Sequence, residues 1–276
     1  MKDILRAAIA VPALKVADVT YNKNAILDCI KKADEAGATL LLTPELSLTG
    51  ATCGDLFHSD LLLENAKQAL TELAEAAPEG MTIAVGAPVC AHGCVYNCMA
   101  VICDNDIVAF VPKNRLTDSE KRYFSNDFET NGHYPQLGYI NYPLFADTLF
   151  RDHDGTTVAV CIGDDLYDAP DAEIILNPTA TVALVGSKAR HRMAVTEQSA
   201  RSTALCLSVS AGTEESTSDL LYSGHGIFAM NGECLAENKN ATDSNYIMIE
   251  DIDLGKIRYD RRRKKSNRVA THTTDL

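Results

Sequence analysis

The sequence predicts an α/β fold, and three observations predict it. Short apolar runs alternate with segments of helical periodicity along most of the chain. Apolar residues make up 46% of the 276, enough to fill a sizeable core at a length that single layered α/β domains reach. No apolar run approaches the ~20 residues that a membrane span needs.

Ala7 to Leu14 is a continuous apolar run, suited to a strand buried on both faces. Asn22 to Glu35 carries Ala25, Ile26, Cys29, Ile30 and Ala33 at helical spacing. A second buried strand spans Thr39–Leu42 and stops before Pro44. Leu56 to Ala76 predicts a helix with Leu61, Leu62, Ala66, Leu70, Leu73 and Ala74 on one face. Strands follow near Thr82–Ala87, Val95–Ile102 and Ile107–Val111, then at Thr157–Ile162 and Ile174–Leu176. Ala189 to Ala204 reads as a helix and Leu205–Ser210 as the next strand. Gly226–Met230 and Glu233–Ala236 flank Asn231-Gly232, a two-residue hairpin signal. Arg258 to Leu276 is polar and basic and then Thr-rich, which reads as a frayed terminus or linker. The expectation is one domain over residues 1–257 with a tail at 258–276. Pattern alone leaves two architectures open, a doubly wound parallel sheet and a two-sheet sandwich.

The formal charge of −13 argues against nucleic acid as the main partner, because phosphates would be repelled. The start, Met1-Lys-Asp-Ile-Leu-Arg6, lacks the apolar stretch of a signal peptide. With an odd count of nine cysteines, this points to a reducing cytoplasm and away from membranes. Cys90, Cys94, Cys98 and Cys103 cluster around His92, but their spacing matches no common zinc pattern. A hairpin carrying thiols as small hydrophobes is the expected reading, with no metal and no cofactor.

Three segments carry the candidate chemistry: Thr43-Pro-Glu-Leu-Ser-Leu-Thr-Gly50, Phe110-Val-Pro-Lys113 and Val158-Ala-Val-Cys-Ile-Gly-Asp-Asp-Leu-Tyr167. Each stands at the end of an expected strand. Further along lie Gln198-Ser-Ala-Arg201, Glu215-Ser-Thr-Ser-Asp-Leu220, Gly224-His225 and Asn231-Gly-Glu-Cys-Leu-Ala-Glu237. In order and content these segments resemble the nitrilase (carbon–nitrogen hydrolase) superfamily, and within it the glutaminase domain of glutamine-dependent NAD synthetases. The resemblance runs almost end to end. It implies an α-β-β-α sandwich, a small-molecule amide such as glutamine as ligand, homo-oligomeric assembly, and an NAD synthetase domain as a neighbour in the parent chain.

Amide hydrolysis by a thiol needs a base, an oxyanion donor and the thiol itself. The resemblance implies Glu45 as the base and Lys113 at the oxyanion. Glu120 matches the family's second active-site Glu, on a loop shorter here than in the family. Thr181 falls where the family contacts the amino-acid end of its substrate. The family's cysteine falls on Gly163, which cannot attack anything. Cys161 is the alternative nucleophile. Alternation puts it on the face of residue 163, but about two rises away, near 6.6 Å, where reactive geometry tolerates about 1 Å. The loop after Tyr167 is also shorter than the family's. Arg201, Glu215, Asp219 and His225 match positions that read as structural or interfacial. Gly-x-Ser-x-Gly, His-Glu-x-x-His and Gly-x-x-x-x-Gly-Lys patterns are absent from the sequence. Two functions follow as expectations: a glutaminase-type hydrolase impaired at its nucleophile, or a non-catalytic module of the same fold used for assembly or ligand binding.

Overall fold

The computed structural model describes residues 4–91, 93–127, 136–137, 140–141, 148–238, 245–264 and 272–275. His92, inside the expected cysteine cluster, lies outside the described residues. The first half comprises β1 (Ile4–Val11), α1 (Val19–Glu35), β2 (Leu40–Leu42), α2 (Asp60–Glu75), β3 (Thr82–Ala91), β4 (Cys94–Cys103) and β5 (Asp106–Pro112). A small hairpin, β6 (Gln136–Leu137) and β7 (Ile140–Asn141), follows. The second half comprises β8 (Thr148–Arg151), β9 (Thr157–Val160), β10 (Ile174–Thr179), α3 (Ser187–Ser202), β11 (Leu205–Ser210), β12 (Gly226–Met230) and β13 (Glu233–Glu237). It closes with β14 (Tyr246–Asp253), α4 (Leu254–Lys264) and β15 (His272–Asp275).

Two large sheets form, in the orders β14-β1-β2-β3-β4-β5 and β13-β12-β11-β10-β9-β8-β15. Side-chain alternation assigns the layers. From β1, Ala7, Ile9 and Val11 face the second sheet and pack with Val160, Leu207 and Phe228. Ala8 and Ala10 face outward, under Ile26 and Ile30 of α1 and Leu70 and Leu73 of α2. On the other side, Ala159, Ile175 and Cys206 pack beneath Val195 of α3. The result is the α-β-β-α sandwich, and it explains why β1 reads as an unbroken apolar run: both of its faces are covered.

Local chemistry sets the ends. Asp18 caps α1 by accepting a hydrogen bond from the Tyr21 amide at 3.0 Å, so the helix starts at Val19, three residues before the apolar spacing suggests. The helix expected from Leu56 is split, because Ser59 is extended between a 3-10 turn at Gly54–His58 and α2. The Asn231-Gly232 hairpin holds as expected, with φ of 52° and 91° at its two turn residues. Cys90 and Cys94 are exposed at the end of the β3–β4 hairpin, while Cys98 is buried farther along β4. β14 had no counterpart in the sequence reading; it pairs antiparallel with β1 along all eight residues.

The region read as a tail is tied to the body over its first part. α4 runs through residue 257 to Lys264. Arg258 donates to Thr156 Oγ1 at 2.6 Å and to Glu173 at 3.3 Å. Arg261 reaches Asp171 and the Ala172 and Ser202 carbonyls. β15 then pairs parallel with β8. Two of the basic residues that made this stretch read as a frayed terminus, Arg258 and Arg261, anchor it. Among the described residues, no helix is long and apolar enough to cross a membrane.

Candidate active site

β1, β2 and β3 run parallel at the centre of one sheet and β9, β10 and β11 at the centre of the other, and the segments that follow β2, β9 and β10 gather at one edge of the sandwich. A cleft of about 640 Å³ opens there, lined by Glu45, Lys113, Glu120, Gly163 and Thr181 together. Five of the six sequence-derived site residues therefore meet in one place.

Glu45 follows β2 on a tight turn. The Thr43 amide donates to the Ala84 carbonyl at 3.0 Å, and the Ser47 amide to the Pro44 carbonyl at 3.3 Å. The turn lies flat on β3 at Gly86, where any Cβ would stand 2.3 Å from the Leu46 nitrogen. Only glycine admits this approach, and the sequence reading missed its importance. Glu45 itself is 2% exposed.

Lys113 directly follows β5 and is 6% exposed. Its ammonium donates to Glu45 Oε1 at 2.7 Å and to Glu120 Oε1 at 2.6 Å. Asn97 on β4 places both partners. Its side-chain amide donates to Glu45 Oε1 at 2.6 Å, and its carbonyl accepts from the Lys113 amide at 2.8 Å. Glu120 is held by Thr117, whose amide and hydroxyl donate to Oε2 at 2.7 and 2.8 Å, while the Glu120 amide donates back to the hydroxyl. This reciprocal Thr-x-x-Glu arrangement was present in the sequence as a capping box. It keeps Glu120 in the site although the loop is short.

One cation between two carboxylates divides their behaviour. Burial raises the pKa of Glu45, and Lys113 only partly offsets this. Burial also acts to raise Glu120, but Lys113 and the Thr117 donors outweigh it, and its pKa is lowered. Burial would lower the pKa of Lys113; the two carboxylates outweigh it and hold the ammonium charged. Glu45 is thus the more basic carboxylate, which suits a proton acceptor.

Gly163 opens a 3-10 turn, Gly163–Asp168, directly after the strand end. Its φ is +56°, in the left-handed region. A Cβ placed there would lie 3.1 Å from Lys113 Nζ and 3.9 Å from Glu45 Oε2. A side chain at 163 would point at the Lys113 ammonium and the Glu45 carboxylate. The turn is clamped from both sides. Asn177 donates to the carbonyls of Cys161 and Gly163 at 2.7 and 2.9 Å. Asp165 accepts from the amides of Asn114 and Arg115 at 2.9 and 2.7 Å, joining this turn to the segment after Lys113.

Cys161 is the sixth site residue, and it is not in the cleft. Alternation predicted a shared direction for 161 and 163. The strand ends at Val160 and Gly163 turns left-handed, so the directions part. Cys161 packs with Ala159, Ile175, Cys206 and Val195 under α3, 4% exposed.

Behind Asn177 runs a hydrogen-bonded chain that the sequence did not suggest. Ser208 Oγ donates to Asn177, so His191 Nε2, at 2.7 Å, must donate to Ser208. His191 Nδ1 then accepts from His225 Nδ1 at 2.7 Å, and His225 Nε2 meets Glu237 at 2.7 Å. Burial first, then repulsion from His225, pushes His191 down to about 4, so it stays neutral. His225 thus joins His191 to Glu237. Glu215, also read as structural, is buried and accepts from the Ala51 amide and the Thr52 hydroxyl, fixing the strand-end loop beyond Glu45.

Sequence comparison finds glutamine-dependent NAD(+) synthetases. That of Mycobacterium bovis is 27% identical over 275 residues, covering 94% of this chain and 40% of the relative. That of Xanthomonas campestris pv. campestris is 30% identical over 211 residues, covering 72% and 35%. The chain thus spans about 40% of the length of the first of these relatives. No protein-family model matches. Among solved structures, a glutamine-dependent NAD(+) synthetase from Cytophaga hutchinsonii superposes with a TM-score of 0.80 at 25% identity, over 90% of this chain and 43% of that one. A nitrilase-superfamily amidase from Nesterenkonia, in a mutant form, superposes with a TM-score of 0.70 at 17% identity, over 95% of both chains. The same amidase with the acetamide moiety of fluoroacetamide on its active-site cysteine gives 0.72. The chain is a homologue of glutamine-dependent NAD(+) synthetases over part of their length, and it has the fold of the nitrilase-superfamily amidases.

Proposed function

We propose that this chain is a glutaminase-type carbon–nitrogen hydrolase domain that binds a small amide such as glutamine and has lost the thiol route of hydrolysis. One observation carries the reading. The position that points at Glu45 and Lys113 is a glycine, where an added Cβ would stand 3.1 Å from Lys113 Nζ. Glu45, Lys113 and Glu120 form the charged half of an amide-hydrolysing site: an acceptor for a proton and a cation for a developing oxyanion. The nucleophile that would form an acyl intermediate is missing from that half. The position of Cys161 under α3 gives no support to its use as a substitute.

In this reading Thr181, on the cleft wall, contacts the amino-acid end of the ligand. A synthetase domain is the proposed neighbour in the parent chain, a homo-oligomer the proposed assembly, and the cytoplasm the proposed setting. Calorimetric titration with glutamine tests the binding half of the proposal. Saturable binding that Lys113→Met abolishes is expected; the absence of any binding heat or of competition by amide analogues overturns it.

A further inference from the structure

A second cavity, of about 380 Å³, lies on the other side of the Gly163 turn, beneath the start of α3. It shares Gly163, Asp164, Thr179, Thr181 and Val182 with the main cleft. The two are neighbouring chambers around one narrow wall.

Thr179 sits in that wall at the end of β10. It is 4% exposed, and its hydroxyl has no hydrogen-bond partner. A buried hydroxyl with nothing to bond is costly and rare in a settled core. It is not explained by strand packing, since valine would fill the same space without the cost. Its place between two chambers gives the explanation: the hydroxyl is kept for a group that arrives from outside.

The far end of the second chamber has a defined chemistry. α3 is sixteen residues long, and its N-cap is Gly186, with no side-chain cap. Its first turn contains no acidic residue and includes Arg190, which lines the chamber. A helix N-terminus of this kind favours an anion. His191 forms part of the wall, but both of its ring nitrogens are occupied. Asp164, the one carboxylate in the lining, is exposed and stands at the shared rim, so an anion would settle toward α3.

We propose that the second chamber receives the carboxylate end of an amide ligand longer than glutamine, with Arg190 and the start of α3 holding the carboxylate and the Thr179 hydroxyl bonding the ligand between the chambers. This rests on the proposed function, with the amide head at Lys113. The ligand class is a carboxamide extended by about one residue, such as a glutaminyl peptide.

The test uses the full chain and three probes: glutamine, glutaminyl-glycine and glutaminyl-glycinamide. The last two differ only in the terminal charge. Calorimetry is expected to show glutaminyl-glycine binding about tenfold more tightly than its amide, the strength of one charge-assisted contact. Arg190→Gln should reduce that preference to about twofold or less, whereas the isosteric Thr179→Val should keep the preference and weaken both peptides about fivefold, the worth of one hydrogen bond. If glutamine binds but the two peptides bind alike, the second pocket is refuted and the reading of the main cleft survives. Undiminished preference in Arg190→Gln, or unchanged peptide affinity in Thr179→Val, also refutes it, because the carboxylate or the middle of the ligand would then be held elsewhere. If none of the probes binds, both proposals fall.

Discussion

Replacing Lys113 by methionine removes the cation from a buried triad and leaves the carboxylates. Glu120 keeps the two Thr117 donors, and its side chain is 21% exposed, so its share of the loss is small. Glu45 keeps only the Asn97 amide, in a site where its side chain is 3% exposed. Removing one partner of a buried pair costs about 3–5 kcal/mol; with Glu120 still supported, about 3 kcal/mol is expected at neutral pH. The pH dependence gives the mechanism away. In the variant, burial holds the pKa of Glu45 above its ordinary 4.5 with no cation to oppose it. Between those two values the folded chain binds a proton that the unfolded chain has lost, so stability rises as pH falls. Urea denaturation followed by circular dichroism, at about pH 7 and about pH 5, should show the deficit shrinking at the lower value. Adding Glu45→Gln should recover at least half of it, because the neutral amide oxygen still accepts from Asn97. A loss under about 1 kcal/mol, equal at both pH values, would refute the buried-triad reasoning.

Gly163→Cys should cost about 1–2 kcal/mol in chemical denaturation, since the native φ of +56° disfavours any side chain. It should also create a thiol that mass spectrometry finds alkylated ahead of all others, because Lys113 favours the thiolate. Thr179→Val should stabilise the unliganded protein by about 1 kcal/mol, measured as a raised Tm, by removing an unpaired buried hydroxyl. His191, pushed from 6.5 down to about 4, stabilises the fold fully above its unfolded value, and the contribution fades as pH falls through that window. The loss there reaches about 3 kcal/mol, and His191→Gln should flatten the stability profile over the same range.

Much of this was legible in the chain. Buried strands announced themselves as apolar runs because both faces of each are covered, and Asn231-Gly232 marked its hairpin because two positive φ values demand such residues. Glu45, Lys113 and Gly163 were legible as strand-end residues in a recognisable order. What the sequence hid depends on distant contacts. Asn97 lies mid-strand, and only the β2–β3–β4 arrangement brings its amide to Glu45. Gly86 matters because another segment's backbone lies on it. Cys161 was misdirected because alternation was carried past the end of β9, where the left-handed turn cancels it. The start of the 258–276 segment read as a frayed terminus or linker because the acidic partners of its arginines sit some ninety residues away, as in the pair Arg261–Asp171.

The central claim is that a glycine at 163 leaves a binding cleft without its nucleophile. Ammonia release from glutamine measures this most directly, comparing the native chain with Glu45→Ala and Cys161→Ser variants. The account predicts no release by the native chain above the Glu45→Ala background, and no covalent label on Cys161 from an electrophilic glutamine analogue. Turnover that either variant abolishes, with stoichiometric labelling of Cys161, would contradict it and make the chain a working amidase.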